Sequence, residues 1–267
     1  QRSSKEFRTA CELVRNGKIG KVQTIDVSVG GPSVWCKLPG EDPEPGLDWN
    51  LWLGPAPMRP YHSELSPRGV HKHFPNWRAY REYGGGMITD WGAHHFDIAQ
   101  WGMGMDDSGP VEIFPADKPN AQRGVHYKYA NGVEVFHKDG PGVVFHGSEG
   151  KIQVNRGQFK FWVGNELKAE SPGQCDAIAK DYLPEGSIRL YKSNDHGGDW
   201  LACVRSRQKP ICDVAVGAHT VIVCHLVNLA YHHGQKMKWD PANKKFLDRT
   251  GDPAWLDVYH RGPWKLS

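Results

Sequence analysis

Asp90, His94 and Asp97 recur at helical spacing inside the stretch Tyr83-Gly84-Gly85-Gly86-Met87-Ile88-Thr89-Asp90-Trp91-Gly92-Ala93-His94-His95-Phe96-Asp97. Residues three and four apart on a helix share a face, so two carboxylates and an imidazole point the same way. A carboxylate beside an imidazole favours the protonated ring and fixes its orientation, which is what a general acid/base histidine needs near neutral pH. The same spacing suits a hydrogen-bonded pair that only caps or packs the helix, because structural ion pairs also perturb histidines. Met87, Trp91, Ile98 and Trp101 recur at spacings of four, seven and three and predict the apolar stripe that seats this helix on a core.

Residues that could hold a substrate lie just upstream. Residues 30–75 are rich in Pro and Gly and carry Trp35, Trp49 and Trp52, too long and too aromatic for a simple connector. Such rings either fill a core or lie flat against the C–H faces of a pyranose or cyclitol. Asn76, Trp77 and Arg78 come next, with His71 and His73 before them and His95 beyond. An arginine or histidine there suits the hydroxyls of a polyol. His71 and His73 would share one side of a strand, but no third ligand is marked, so no metal is expected.

Composition removes several alternatives. The 267 residues carry 33 basic and 30 acidic side chains, a formal charge of +3 that is too small to mark a nucleic-acid surface. The cysteines, Cys11, Cys36, Cys175, Cys203, Cys212 and Cys224, are scattered with no C-x-x-C, and read as reduced thiols. No run approaches the roughly 18 consecutive apolar residues of a membrane span. A soluble chain is expected, with cytoplasm and periplasm both open.

Periodicity marks the elements. Ser3-Ser4-Lys5-Glu6 matches a capping box, and Phe7, Ala10, Cys11 and Val14 predict an amphipathic helix ended by Gly17. Ile25, Val27 and Val29 alternate with polar residues as a strand does. Further strands are expected over residues 111–114, 125–129, 133–137, 143–146, 151–154 and 159–163, with Asn131-Gly132 as a hairpin turn. Residues 165–194 have no clear assignment. Trp200, Leu201 and Val204 suggest a short helix, Val214 and Val216 an extended link, and Ile222, Leu226, Leu229 and Ala230 another helix stopped by Gly234. Residues 235–267 read as a strap over the domain. The expected class is α+β: one domain over 1–267, with a large, mainly antiparallel open sheet and helices on one face.

The run Gly84-Gly85-Gly86-x-x-x-Asp90-x-Gly92-x-His94-x-x-Asp97 resembles the central motif of the Gfo/Idh/MocA oxidoreductases. Supporting segments run nearly end to end: Asn16-Gly17-Lys18-Ile19-Gly20-Lys21-Val22, Asp48-Trp49-Asn50-Leu51-Trp52-Leu53-Gly54-Pro55, Asn76-Trp77-Arg78, Cys203-Val204-Arg205-Ser206-Arg207 and Arg261-Gly262-Pro263-Trp264. The resemblance is to the part of those enzymes C-terminal to their nucleotide-binding half. It implies hydride transfer between NAD or NADP and a carbinol of a sugar, glycoside or cyclitol. His94 would take or return the hydroxyl proton, and Asp90 would orient the substrate or the ring. Trp35, Trp52, His73, Asn76, Trp77, Arg78 and His95 would contact substrate. It also implies a homo-oligomer formed through the open sheet face.

No G-x-G-x-x-G stands after a strand, so the given residues are expected to lack a Rossmann domain; the resemblance implies that this domain, with the cofactor site and half the active site, lies upstream. If the chain is naturally complete, the alternatives are a nonredox carbohydrate-binding module, a lyase using His94 as base, or a structural subunit.

Overall fold

The computed structural model describes residues 1–69, 75–258 and 260–264. Ten strands form one sheet. In chain order they are β1 Val22–Val27, β2 Glu112–Phe114, β3 His126–Lys128, β4 Glu134–His137, β5 Val143–Gly147, β6 Gly150–Asn155, β7 Gln158–Val163, β8 Glu166–Ala169, β9 Met237–Asp240 and β10 Lys245–Phe246. Their spatial order is β10-β9-β2-β3-β4-β1-β5-β6-β7-β8, with only β1 and β4 paired in parallel.

Alternation of side chains along each strand gives the sheet two unlike faces. Ile113, Tyr127, Val135, Ile25, Phe145, Ile152 and Phe161 stand in register across seven strands, all fully buried. The adjacent row, Phe114, His126, Phe136, Asp26, Val144, Gln153 and Lys160, takes the other face. Helices α1 (Lys5–Arg15), α4 (Gly92–Met103) and α7 (Val214–His233) cover the buried row. At full burial, each large apolar side chain contributes about 1.5–3 kcal/mol of transfer free energy. Where α4 crosses β5, a side chain at Gly102 would come within 2.6 Å of the Phe145 ring.

Several elements differ from the sequence expectation, each for a visible reason. Ser4, not Ser3, stands at the N-cap of α1 and makes no capping bond: Ser3 Oγ is bonded to Ser193 and His196, and Glu6 accepts from Gly157 N–H at 3.1 Å. The single helix expected after the glycines is two, α3 (Gly86–Asp90) and α4, with Trp91 between them. That break turns the apolar stripe: Met87 and Trp91 are exposed, while Ile88, Phe96, Ile98 and Trp101 are buried. Residues 165–194 contain β8 and α5 (Cys175–Tyr182), introduced by a Ser171/Gln174 capping box. Val214 and Val216 open α7 instead of forming a link, since Asp213 caps that helix by accepting from Ala215 and Val216 N–H. α6 (His196–Ser206) fits the helix expected around Trp200, although Trp200, Leu201 and Val204 are all exposed.

Residues 237–246 enter the sheet as an edge hairpin, so the strap begins later. There Arg261 donates to the Asn50, Gly54 and Ala56 carbonyls and to Asn50 Oδ1, tying the tail to α2 (Trp49–Leu53). α7 is 20 residues long and apolar enough to cross a membrane by length and composition. It packs instead on α4, with Val223, Cys224, Leu226, Val227 and Ala230 buried.

Candidate active site

The three titratable residues of the glycine-led motif meet three different environments. Asp90 closes α3, and its carboxylate is bound by the guanidinium of Arg78 from the short 3-10 helix Asn76–Ala79. No hydrogen bond joins Asp90 to His94 among the described residues. Trp91, itself in the right-handed helical region, joins α3 to α4, and Arg78 rather than His94 takes the Asp90 carboxylate. Asp97, one turn further along, is buried: its Oδ1 accepts from Arg2 Nη2 at 2.7 Å and Thr220 Oγ1 at 2.9 Å, and its Oδ2 from Arg2 Nε at 2.8 Å. Arg2 also donates to both carboxylate oxygens of Asp106, at 2.8 and 3.1 Å, and lies over the Trp101 ring. Burial acts to lower the Arg2 pKa, but the two carboxylates outweigh it and the pKa rises.

His94 stands in the first turn of α4 with its side chain exposed and no hydrogen bond to the protein among the described residues. Partial desolvation, followed by the nearby Arg156 cation, holds its pKa below the ordinary histidine value. The ring is therefore neutral near pH 7 and able to accept a proton, and the cation beside it favours that proton's return.

His95 has the opposite setting. It is buried, its Nδ1–H donates to the Ser28 carbonyl at 2.9 Å, and its Nε2 accepts from Arg156 Nη1 at 3.1 Å. Burial, the largest cause, brings its pKa down to about 4. With both nitrogens engaged, the ring holds Arg156 in place and has no free atom for a ligand. Arg156 also stacks over the exposed Trp91, 4.4 Å from the ring centroid. Sequence reasoning missed Arg156. The only signal was the turn Asn155-Arg156-Gly157 between β6 and β7, which does not tell where the tip lands.

The remaining sequence candidates are divided. Trp52 and Trp77 line a cavity of about 440 Å³ together with Tyr83, Glu82 and His260. Trp52 stacks on Trp49 at 4.5 Å. Asn76 is exposed and donates to Glu64 at 3.1 Å. Trp35 lies in a different cavity, under Arg81. His73, with His71, falls outside the described residues. Among the described residues no group of three His, Cys, Asp or Glu side chains could hold a metal ion.

The glycine run does not form a phosphate cradle. A side chain at Gly86 would lie 2.5 Å from Ser33 N and 2.8 Å from Pro32 C, so the 32–33 backbone already occupies the space above α3. Gly85 O accepts from Asn228, and α3 is only five residues long. These glycines permit a close backbone approach between two loops. The glycine run therefore does not fit a dinucleotide phosphate, and no step through one is derived from it.

The sequence profile of the oxidoreductase family, C-terminal alpha/beta domain, matches residues 34–266. No curated protein matches the chain. Among solved structures, aldose-aldose oxidoreductase from Caulobacter crescentus, complexed with glycerol, is similar at 15% identity over 89% of this chain and 61% of that one, with a TM-score of 0.52. An oxidoreductase domain protein from Kribbella flavida is similar at 14% identity over 89% and 63%, with a TM-score of 0.51. The chain thus spans about three fifths of the length of these structures. The profile match covers most of the chain and agrees with the mixed fold and its mainly antiparallel sheet: this chain belongs to the Gfo/Idh/MocA oxidoreductase family, as its C-terminal alpha/beta domain.

Proposed function

We propose that this chain is the substrate-side part of an NAD(P)-dependent oxidoreductase acting on a hydroxyl carbon of a sugar, glycoside or cyclitol. His94 is the group that takes or returns the hydroxyl proton. The observation that carries this reading is the open, neutral imidazole of His94 beside a fixed Arg156, while its neighbours His95 and Asp97 are fully engaged inside the protein. The Asp90–Arg78 pair, from the same motif, offers a carboxylate and a guanidinium for the substrate's other hydroxyls. Trp52 and Trp77 line a cavity that does not include His94, and their apolar ring faces are assigned to a part of the substrate away from the reacting carbon. The fold likeness to a sugar oxidoreductase supports the substrate class, and the three-fifths coverage supports a nucleotide site elsewhere in the protein.

The test is twofold. The native gene product should exceed 30.0 kDa by roughly one domain of 100–150 residues, as intact mass from source cells would read. In that protein, His94→Ala should lower kcat with a panel of sugars and cyclitols by roughly 100-fold or more, the range of a lost general acid/base. Near-normal turnover would remove His94 from the chemistry.

The partner is a second copy of the chain, docked through the outer sheet row. There Phe114, His126 and Phe136 stack ring on ring at 4.5 and 5.0 Å, half-buried, on the face opposite the buried row that α1, α4 and α7 cover. Sedimentation of Phe136→Glu should give a smaller species than the parent; an unchanged monomer in both would reject this face.

A further inference from the structure

A second cavity, of about 630 Å³, lies at the C-terminal end of α7 and includes none of Asp90, His94, Asp97 or Arg156 in its lining. Contacts along α7 fix its place. Thr220 meets Asp97, Asn228 meets Gly85, and His232 Nε2–H donates to the Ser33 carbonyl at 3.1 Å. Twelve residues of helix, about 18 Å at 1.5 Å per residue, separate the Asp97 level from the His232 wall. The volume is within the usual range for small-molecule sites, about 300–1,000 Å³.

The lining has one consistent chemistry. Arg81 lies over the Trp35 ring, 4.3 Å from its centroid. A guanidinium stacked by its face keeps its N–H edge available for in-plane hydrogen bonds. Among the described residues no hydrogen bond or ion pair takes that edge. Lys37 adds a second cation, Asn120 and Gln122 add amides, and Tyr80 adds a flat apolar wall. No carboxylate lines the cavity among the described residues. Partial desolvation lowers the Arg81 pKa, while the Glu82 carboxylate, held by Cys36 N–H, acts in the opposite sense.

The walls are preformed. Val34 N–H donates to Ala79 O at 3.0 Å, and Arg81 N–H donates to Val34 O at 2.8 Å, which sets the Trp35 strand segment beside Arg81. The Pro32–Gly86 bridge holds the other end. Little ordering is then left for a ligand to impose.

The geometry points to a second binding site here, separate from the His94 face, for a ring-shaped anion: a sugar that carries a carboxylate or a phosphate. The ring stacks on Trp35 and Tyr80, and the anionic group meets the Arg81 edge and Lys37 as charge-assisted hydrogen bonds.

Calorimetric titration of the complete protein with glucuronate, glucose 6-phosphate, glucose and inorganic phosphate tests this, and it does not depend on turnover. One or both anionic sugars should bind, at least tenfold more tightly than glucose and than phosphate, and their ratio distinguishes carboxylate from phosphate. Arg81→Gln should weaken binding by roughly 10-fold or more, the scale of a lost charged hydrogen bond, and Trp35→Ala should do the same, while His94→Ala leaves it unchanged. Circular dichroism and melting of the variants confirm that they fold. Equal affinity for glucose, no binding of either anionic sugar, or loss of binding in His94→Ala with retention in a folded Arg81→Gln would overturn the assignment. Because the readout is binding, the site can fail while the His94 reading stands, and the reverse.

Discussion

At Asp97 both carboxylate oxygens are saturated by Arg2 and Thr220, and the arginine is shared with Asp106 under the Trp101 ring. One turn earlier on the same helix, His94 meets no hydrogen-bonding partner among the described residues and faces outward beside a cation that His95 holds still. Both regions belong to one motif and one helix. A buried charge persists only when it is paired and hydrogen-bonded, so the Asp97 network is built to hold three segments together. An unpaired titratable group at the surface contributes little to stability and remains available for chemistry. The contrast assigns Asp97 to structure and supports the role proposed for His94.

The largest expected effect attacks the closed side. Arg2→Ala leaves Asp97 buried without its guanidinium and should destabilise the fold by about 3–5 kcal/mol. Urea denaturation measures this, and a loss below about 1 kcal/mol would mean that the network is not structural. His95→Ala comes next. It strands the Ser28 carbonyl and one Arg156 N–H, with an expected loss of about 1–3 kcal/mol.

The same buried imidazoles set a pH dependence. His95 and His137 both have pKa values brought down to about 4, mainly by burial. An unfolded histidine titrates near 6.5. Between those values the unfolded chain binds more protons than the folded one, so stability rises with pH across this window. It is fully present above about pH 6.5 and is lost as pH falls toward 4. Denaturation midpoints at pH 7.5 and pH 5 should differ in that direction, and His137→Gln should flatten the slope. A stability that rises on acidification would contradict the buried neutral rings.

Smaller effects are expected on the open side. His94→Ala should leave stability within about 0.5 kcal/mol of the parent, as for an exposed residue. A larger loss would erase the contrast with Asp97. The smallest effect is electrostatic: Arg156→Gln should raise the His94 pKa toward the ordinary value, read by NMR titration of the imidazole. An unchanged or lower pKa would show that desolvation alone sets it.

Much of this fold was legible in the sequence because its strands obey a period of two. The alternation around Ile25 and Val27, the turn at Asn131-Gly132 and the runs through Phe145, Ile152 and Phe161 each became a strand with the expected buried face. The Ser171/Gln174 capping box and the Asp213 cap were equally local signals, but they stood beside polar or β-branched residues that masked the helices they begin. The candidate site was legible only in part. Residue types and spacing singled out Asp90, His94 and Arg78, while Arg156 and Arg2 meet their α4 partners from 61 and 95 positions away in sequence. Trp35, Trp52 and Trp77 were one aromatic class in the sequence and occupy two cavities in the structure.

By itself the sequence determined the sheet's alternation, the helical stretches that cover it and the motif that marks the family, because those depend on local periodicity and on residue types at fixed spacing. Which member of that motif is open to solvent was decided by tertiary structure alone. Arg78 took the Asp90 carboxylate, a hairpin tip carried Arg156 beside the ring, and Arg2, ahead of α1, saturated Asp97 together with Thr220. The strength of a charge-charge contact depends on distance and burial in space, and neither is a property of spacing along the chain.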